Sequence, residues 1–289
     1  MKSVFIFFLS IFLLFSSCRQ NKYNNSSNTF IQIKGSDTML NLIQALIDKN
    51  PKIRSNVSIT GGGSGVGFAS LMNATCDITM SSRIIGLKEK MLAEKKNMNI
   101  MEFKIGLDGL AVLVNKSNSV NRLTLAQLRD IFMAKITNWK EVGGDDKEIV
   151  ILSRESNSGT HMFFKEQVLR QNNKNALDEF AAESLMMPSS QTICLEVSQN
   201  PNALGYVGMG FVDNKKVKAL SIAINTNSKY IYPTLENVMN GTYLISRPLY
   251  LYTNKKPQNT VKMFIDFVLS NYGQKIVLET GFVPIKYNN

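Results

Sequence analysis

Residues 57–72 read VSITGGGSGVGFASLM. Val57 to Thr60 is a short run rich in β-branched residues, Gly61 to Gly67 is a loop dominated by glycine, and Phe68, Leu71 and Met72 then recur at helical spacing. Strand, loop and helix in that order form the building unit of an α/β domain with a largely parallel sheet. The same order recurs on both sides. Upstream, a strand over Phe30–Lys34 passes through Gly35-Ser36-Asp37-Thr38 into an apolar-periodic helix over Met39–Lys49, which Pro51 stops. Downstream, Asp77–Met80 leads into Ser81-Ser82-Arg83 and then into a helix-forming stretch, Leu87–Lys96.

Two strand-like runs far apart in the chain, Leu110–Asn115 and Leu249–Asn254, are expected to cross between two lobes. The segment between them carries units of its own: a helix over Thr124–Met133, a strand over Ile149–Leu152 and a helix after Gly159. A carboxy-terminal helix over Thr260–Glu279 returns to the first lobe. The expected organisation is therefore a discontinuous first lobe, residues 30–109 with 249–289, and a second lobe, residues 110–248. No internal repeat is apparent.

The first eighteen residues bear on the compartment. Lys2 is followed by an almost wholly apolar run from Val4 to Phe15 and by Ser16, Ser17 and Cys18. That run is shorter than the roughly 20 residues a bilayer-spanning helix requires, and it has the form of a secretory signal. Because it ends on cysteine it resembles a lipoprotein signal, with Cys18 as the lipidated residue, although Phe15 stands where that pattern prefers Leu. A plain signal peptide cleaved elsewhere is the alternative. Residues 19–29, rich in Asn and Ser, suit a flexible tether.

The chain has 289 residues, 44% of them apolar, and a formal charge of +11. The basic excess suits anionic partners. The lysines are dispersed, however, and no aromatic pattern accompanies them, so no nucleic-acid partner is expected. Cys76 and Cys194 are expected to remain unpaired, and a single histidine, His161, is too few for a Cys/His zinc cluster. No metal and no cofactor is expected.

The candidate chemistry gathers where strands give way to helices, the position at which open α/β sheets bind ligands. Ser36-Asp37-Thr38 places hydroxyls at a helix start, where partial positive charge favours an anion. Ser64 inside the glycine loop repeats the arrangement, and Ser158-Gly159-Thr160 repeats it in the other lobe. Helix capping explains any one of these equally well. Arg83 and Arg154 offer planar forks suited to paired oxyanion oxygens. The glycine loop lacks the Gly-Lys-Ser/Thr ending of a nucleotide P-loop and the spacing of a dinucleotide fingerprint. A small tetrahedral oxyanion suits it better than a nucleotide.

Ser36 to Thr38, Gly61 to Gly67, Ser81-Ser82-Arg83 and Arg154 with Ser158-Gly159-Thr160 resemble, in order, the motifs of the phosphate-binding proteins of phosphate ABC transporters, the PstS type. Ile131-Phe132 through Ile136-Thr137-Asn138-Trp139 and Ala203-Leu204-Gly205-Tyr206-Val207 support the resemblance, which extends from about Phe30 to Pro284. It implies a type II periplasmic-binding-protein fold: two lobes with mixed, mostly parallel sheets joined by two crossing strands. It also implies a lipid-anchored, extracytoplasmic, monomeric receptor that carries inorganic phosphate to permease subunits and is not an enzyme. By motif position Thr38, Ser64, Arg154, Ser158 and Thr160 would be direct ligands, with Met39 and Gly159 contributing backbone N–H groups.

One departure matters. Where well-known members place an aspartate in the third motif, this chain has Ser82 followed by Arg83, as the short-chain branch does. Discrimination of phosphate from sulfate is then open, and Asp37 is the expected acceptor for the phosphate proton, unless it merely caps its own helix. Two rivals stand beside this expectation: the same fold tuned to sulfate or molybdate, and a secreted phosphatase or serine hydrolase built on Ser158 and His161.

Overall fold

A computed structural model describes residues 30–173 and 175–285. The signal segment with Cys18, the tether and residues 286–289 lie outside the described residues. In chain order the elements are β1 (Ile31–Gly35), α1 (Leu40–Asp48), β2 (Val57–Thr60), α2 (Ser64–Met72), β3 (Ile78–Ser81), α3 (Leu87–Lys95), β4 (Ile100–Asn115), β5 (Arg122–Thr124) and α4 (Leu125–Phe132). They continue with β6 (Val150–Arg154), α5 (Gly159–Phe164), β7 (Leu185–Met187), α6 (Ser190–Gln199), β8 (Ala203–Gly208), β9 (Val217–Ala219), β10 (Ser221–Ala223), α7 (Leu235–Met239), β11 (Ser246–Asn254), α8 (Asn259–Leu269) and α9 (Asn271–Glu279).

Neighbouring strands run in the order β2-β1-β3-β11-β4-β8-β6-β7, with β9 also beside β4, and β5 and β10 form a separate pair. β1 is parallel to β2 and β3, and β6 is parallel to β7 and β8, because helices carry the chain back between these strands. β4 and β11 are antiparallel to each other and to their neighbours β8 and β3. That reversal follows from the chain leaving one half on β4 and returning to it on β11. The expected crossing run Leu110–Asn115 is the end of the 16-residue β4, whose earlier part pairs with β11.

Each half has its own core, as a two-layer α/β unit requires. In the first, Leu42, Ile43, Leu46 and Ile47 of α1 form one apolar stripe packed with Ile33, Ile78 and Leu251 from the sheet. In the second, Val112, Phe132, Trp139, Phe164 and Tyr206 pack together. Phe164 stacks on Tyr206 at 3.8 Å between ring centroids. Cys76 and Cys194 are free thiols.

The carboxy-terminal helix departs from expectation, being two helices. Ser270 has extended backbone (φ −71°, ψ 161°) and its Oγ accepts from Gly273 N at 3.1 Å, so it caps α9 and interrupts the run. A side chain at Gly273 would collide with the carbonyl of Phe267, which locks the corner. Ser270→Ala is therefore expected to lower stability by about 1 kcal/mol in chemical unfolding. A gain in stability, as alanine gives in a continuous helix, would contradict the break.

Candidate anion-binding site

The carboxyl ends of β1, β2, β3 and β6 bring the predicted hydroxyl residues together. Ser36 Oγ donates to Ser82 Oγ at 2.9 Å, and Ser82 N donates to Ser64 Oγ at 3.2 Å. From the other half, Thr160 Oγ1 meets Thr38 Oγ1 at 2.9 Å. Gly159 lies against the same group: a Cβ there would collide with Ser64 Oγ and stand 2.7 Å from Ser82 Oγ. Ser36, Thr38, Ser64, Ser82, Ser158 and Thr160 are all buried. Ser64 opens α2, while Ser158 caps α5 by accepting from Thr160 N and His161 N. Both helix starts direct partial positive charge to this cluster.

Two charged residues that the sequence reading did not identify complete it. Asp108 on β4 and Arg247 on β11 are directly opposed in the strand register, and both side chains are 0% exposed. Arg247 Nη2 lies 2.9 Å from Asp108 Oδ2, 3.0 Å from Thr160 Oγ1 and 3.3 Å from Thr38 Oγ1. Nε also donates to Asp108 Oδ2, at 3.2 Å, and Met209 N donates to Oδ1 at the same distance. Among the described residues, Arg247 Nη1 is buried without a hydrogen-bond partner. Burial pushes the Asp108 carboxyl above its ordinary value, against the opposing pull of Arg247 and Met209 N–H. A signal for both was present in the sequence, since each is a lone charge inside an apolar strand run, and such charges are rarely buried without a partner.

The remaining expected residues are differently placed. Arg154 is buried, but four of its five N–H donors are engaged by the protein. Nη2 donates to Asp37 Oδ2 and to Pro188 O, both at 2.9 Å, Nε to Met187 O at 3.2 Å, and Nη1 to Ser190 Oγ at 3.4 Å. Asp37 Oδ1 accepts from Gly62 N at 2.9 Å. Its carboxylate thus straps the glycine loop of one half to Arg154 of the other, and bonds no amide of its own helix.

The glycine-loop amides are likewise committed: Gly63 N donates to Gly35 O at 2.9 Å and Gly65 N to Asn157 O at 3.0 Å. Gly63 has φ +89°, and a Cβ there would stand 2.7 Å from Asn157 O, so only glycine permits this approach of the two halves. Met39 N donates to Ser36 O at 3.1 Å within its own turn, and does not offer a free amide. Arg83 is engaged elsewhere. Its guanidinium forks onto Glu89 at 2.6 and 2.8 Å and lies over the Phe68 ring, so it organises the start of α3.

Ser158 and His161 do not form a nucleophile–base pair. Ser158 Oγ accepts from two backbone amides, while His161 Nδ1 faces Ser153 Oγ at 3.2 Å, which in turn meets Tyr206 OH at 2.8 Å. Burial first, and then the nearby Lys165 cation, lower the His161 pKa from its ordinary 6.5 to about 4. The folded chain therefore refuses a proton that the unfolded chain accepts, and stability is expected to fall as pH drops from 6.5 toward 4. Urea unfolding between pH 7 and pH 4.5 checks this: His161→Gln should lose stability less steeply on acidification than the parent, and equal slopes would refute it.

Comparison with known proteins identifies the family. Residues 21–272 match the family model described as the PBP superfamily domain. The chain is 32% identical, over 99% of its length and 100% of the relative's, to the phosphate-binding protein PstS of Borreliella burgdorferi. It is 34% identical, over 83% of its length and 74% of the relative's, to PstS of Staphylococcus epidermidis. Among solved structures, a phosphate ABC transporter substrate-binding protein of Clostridium perfringens with bound phosphate superposes with a TM-score of 0.78. That pair shares 33% identity, covering 89% of this chain and 99% of the other. A two-lobed fold with crossing strands at its waist, a hydroxyl cluster at the strand ends and identity sustained along nearly the whole length have one common account: the chain belongs to the PstS-type phosphate-binding proteins of the PBP superfamily.

Proposed function

We propose that the chain captures inorganic phosphate between its lobes and delivers it, outside the cytoplasm, to the permease of a phosphate ABC transporter. The observation that carries this proposal is the meeting of Thr38 and Thr160, one from each half, at a buried point that Arg247 Nη2 also reaches. Hydroxyl donors, two helix starts and a guanidinium converge there, the set of groups that an oxyanion requires. The Clostridium perfringens relative, solved with bound phosphate, supports the same ligand.

The lobes are taken as residues 30–109 with 249–289 and residues 110–248. Closure of one on the other excludes water and strengthens each hydrogen bond to the anion. The strap from Gly62 through Asp37 to Arg154 acts across the same closure, so Arg154 serves by holding the lobes in register. Lipidation at Cys18 would tether the receptor near its permease. No helix among the described residues is long and apolar enough to cross a membrane.

Calorimetry with phosphate, sulfate and molybdate on the mature chain tests the proposal. Phosphate is expected to bind most tightly, and a preference for either other anion would overturn it. Thr160→Val keeps the side-chain shape but removes a hydroxyl, and is expected to weaken phosphate binding about 30-fold. Asp37→Asn should weaken phosphate and sulfate in parallel, because both carboxylate oxygens are spent on Arg154 and Gly62. A change in their ratio would return the selectivity role to Asp37.

A further inference from the structure

We infer that the end of the first lobe farthest from the hydroxyl cluster docks on acidic lipid headgroups, so that the tethered receptor rests with its cleft turned away from the membrane. This inference rests on the tethered-receptor part of the proposed function and adds the direction in which the molecule faces.

Strand register defines that end. β1 starts at Ile31 beside Val57 of β2, and its Ile33 lies beside Ile78, the first residue of β3. β11 runs the other way and finishes with Asn254 beside Ile100, the first residue of β4. The cluster stands at the opposite rim, where β1, β2 and β3 finish. Because α1, α2 and α3 each return the chain from the cluster rim to the start of the next strand, their last residues gather at the far one. There Lys96 Nζ donates to Met72 O at 2.8 Å, and Lys255 N donates to Asn99 O at 2.7 Å. Phe30, where the chain arrives from the tether, is exposed at the same rim.

The charge at this rim is one-sided. Lys49 follows α1, Lys52 and Arg54 occupy the turn before β2, Lys95 and Lys96 end α3, and Lys255 and Lys256 follow β11. All are exposed, and among the described residues none of them lies in an ion pair. Elsewhere on the surface Lys140, Lys216, Lys262 and Lys275 each have a carboxylate partner. Against the seven cations stand four carboxylates, Asp48, Asp77, Glu94 and Glu102, which leaves three positive charges unbalanced. Two of the four are already engaged: Asp77 accepts from Gln32 N at 2.8 Å and Glu102 from Tyr252 OH at 2.7 Å. A cleft of about 420 Å³ opens here, with Lys255 and Lys256 on its wall beside Leu71, Cys76, Pro257 and Val261. Cations beside apolar walls suit a headgroup phosphate with its glycerol.

Geometry and energy agree with a resting contact. With Cys18 lipidated, residues 19–29 hold Phe30 at most about 40 Å from the lipid, so the far rim is the part of the lobe kept nearest the membrane. Each basic residue close to an acidic surface strengthens attachment about fivefold, and the attraction fades within a Debye length. Three net charges on a tethered chain are enough to bias its orientation and too few to fix it. That reversibility is required, since phosphate leaves by the cleft and the receptor must tip over to present it. The same geometry argues against the permease as the occupant, because a permease receiving the anion faces the cluster rim.

Co-sedimentation of the mature chain, residues 18–289 with Cys18 left unacylated, with lipid vesicles tests the inference. Vesicles equimolar in phosphatidylglycerol and phosphatidylcholine are expected to bind it at least about tenfold more tightly than phosphatidylcholine alone, and the gain should vanish at high salt. Lys255→Glu with Lys256→Glu should weaken binding to the acidic vesicles by at least about 20-fold. Phosphate affinity of that variant in calorimetry should equal the parent's, which also shows that it is folded. Should it fail to fold, Lys52→Gln with Lys95→Gln, on the same rim, decides in its place by the same loss of vesicle binding. Equal binding to the two kinds of vesicle, or acidic-vesicle binding that the variant retains, would overturn the inference. So would lysines dispensable on lipid but needed for phosphate uptake by vesicles holding the permease, which would assign this rim to the transporter. Failure of the parent to bind phosphate would overturn the receptor reading, and the vesicle result would still judge this inference by itself.

Discussion

Where β4 and β11 lie side by side, a carboxylate and a guanidinium face each other with no exposed surface on either. Taking two such ions out of water costs several kcal/mol each, and their attraction repays this only when the geometry is good and further hydrogen bonds satisfy the remaining atoms. A well-packed apolar pair would often serve stability as well. The position of Asp108 and Arg247 is therefore better accounted for by what they hold. Arg247 reaches Thr38 from the first half and Thr160 from the second, so the antiparallel strand pair fixes the two hydroxyls that the binding proposal depends on.

Around that fixed point, polar links between the halves run between strand ends, helix starts and the turns beside them. Asp37 reaches Arg154, Gly65 N reaches Asn157 O, and Asn157 Nδ2 reaches Gly62 O. Asn157 is exposed, so its two links hold the lobes with modest energy, whereas the Asp37–Arg154 link is largely buried, and breaking it by removing one partner would be costly. Such an interface suits a receptor: a ligand shifts a lobe equilibrium only by its differential affinity for the closed form, and a heavily apolar seam would leave it little to add.

Much of this was legible in the sequence because it is local. Strand, glycine-rich or serine-rich turn and helix start are written within windows of about fifteen residues, and they located Ser36, Thr38, Ser64, Ser82, Ser158 and Thr160 at strand ends. What escaped was non-local. Asp108 and Arg247 are 139 residues apart, and only the register of β4 against β11 brings them face to face. The expected crossing runs began at Leu110 and Leu249, each two residues past the charge that matters. Arg83 misled for a related reason. It adjoins a cluster residue, but Glu89 in the first turn of the following helix draws its side chain away. Ser270 breaks the last helix without a proline, and the break escapes notice because a serine cap and a serine inside a helix look alike in sequence.

The hydrogen bonds also change which groups can hold an anion. Glycine-rich loops commonly offer backbone amides, yet Gly62, Gly63 and Gly65 donate to Asp37, Gly35 and Asn157, and Met39 donates within its turn. Hydroxyl protons are in better supply. Ser36 gives its proton to Ser82, but Ser158 Oγ acts only as an acceptor, from two amides, and the Thr38–Thr160 contact uses one proton of two. Those protons stand at the start of α5 and beside Arg247, where helix dipole and guanidinium act in the same sense. Donors of this kind rotate and can follow the closing of the lobes, whereas amides held by a neighbouring loop cannot. The glycines contribute in another way, by letting two backbones approach closely enough for the hydroxyls of both halves to meet.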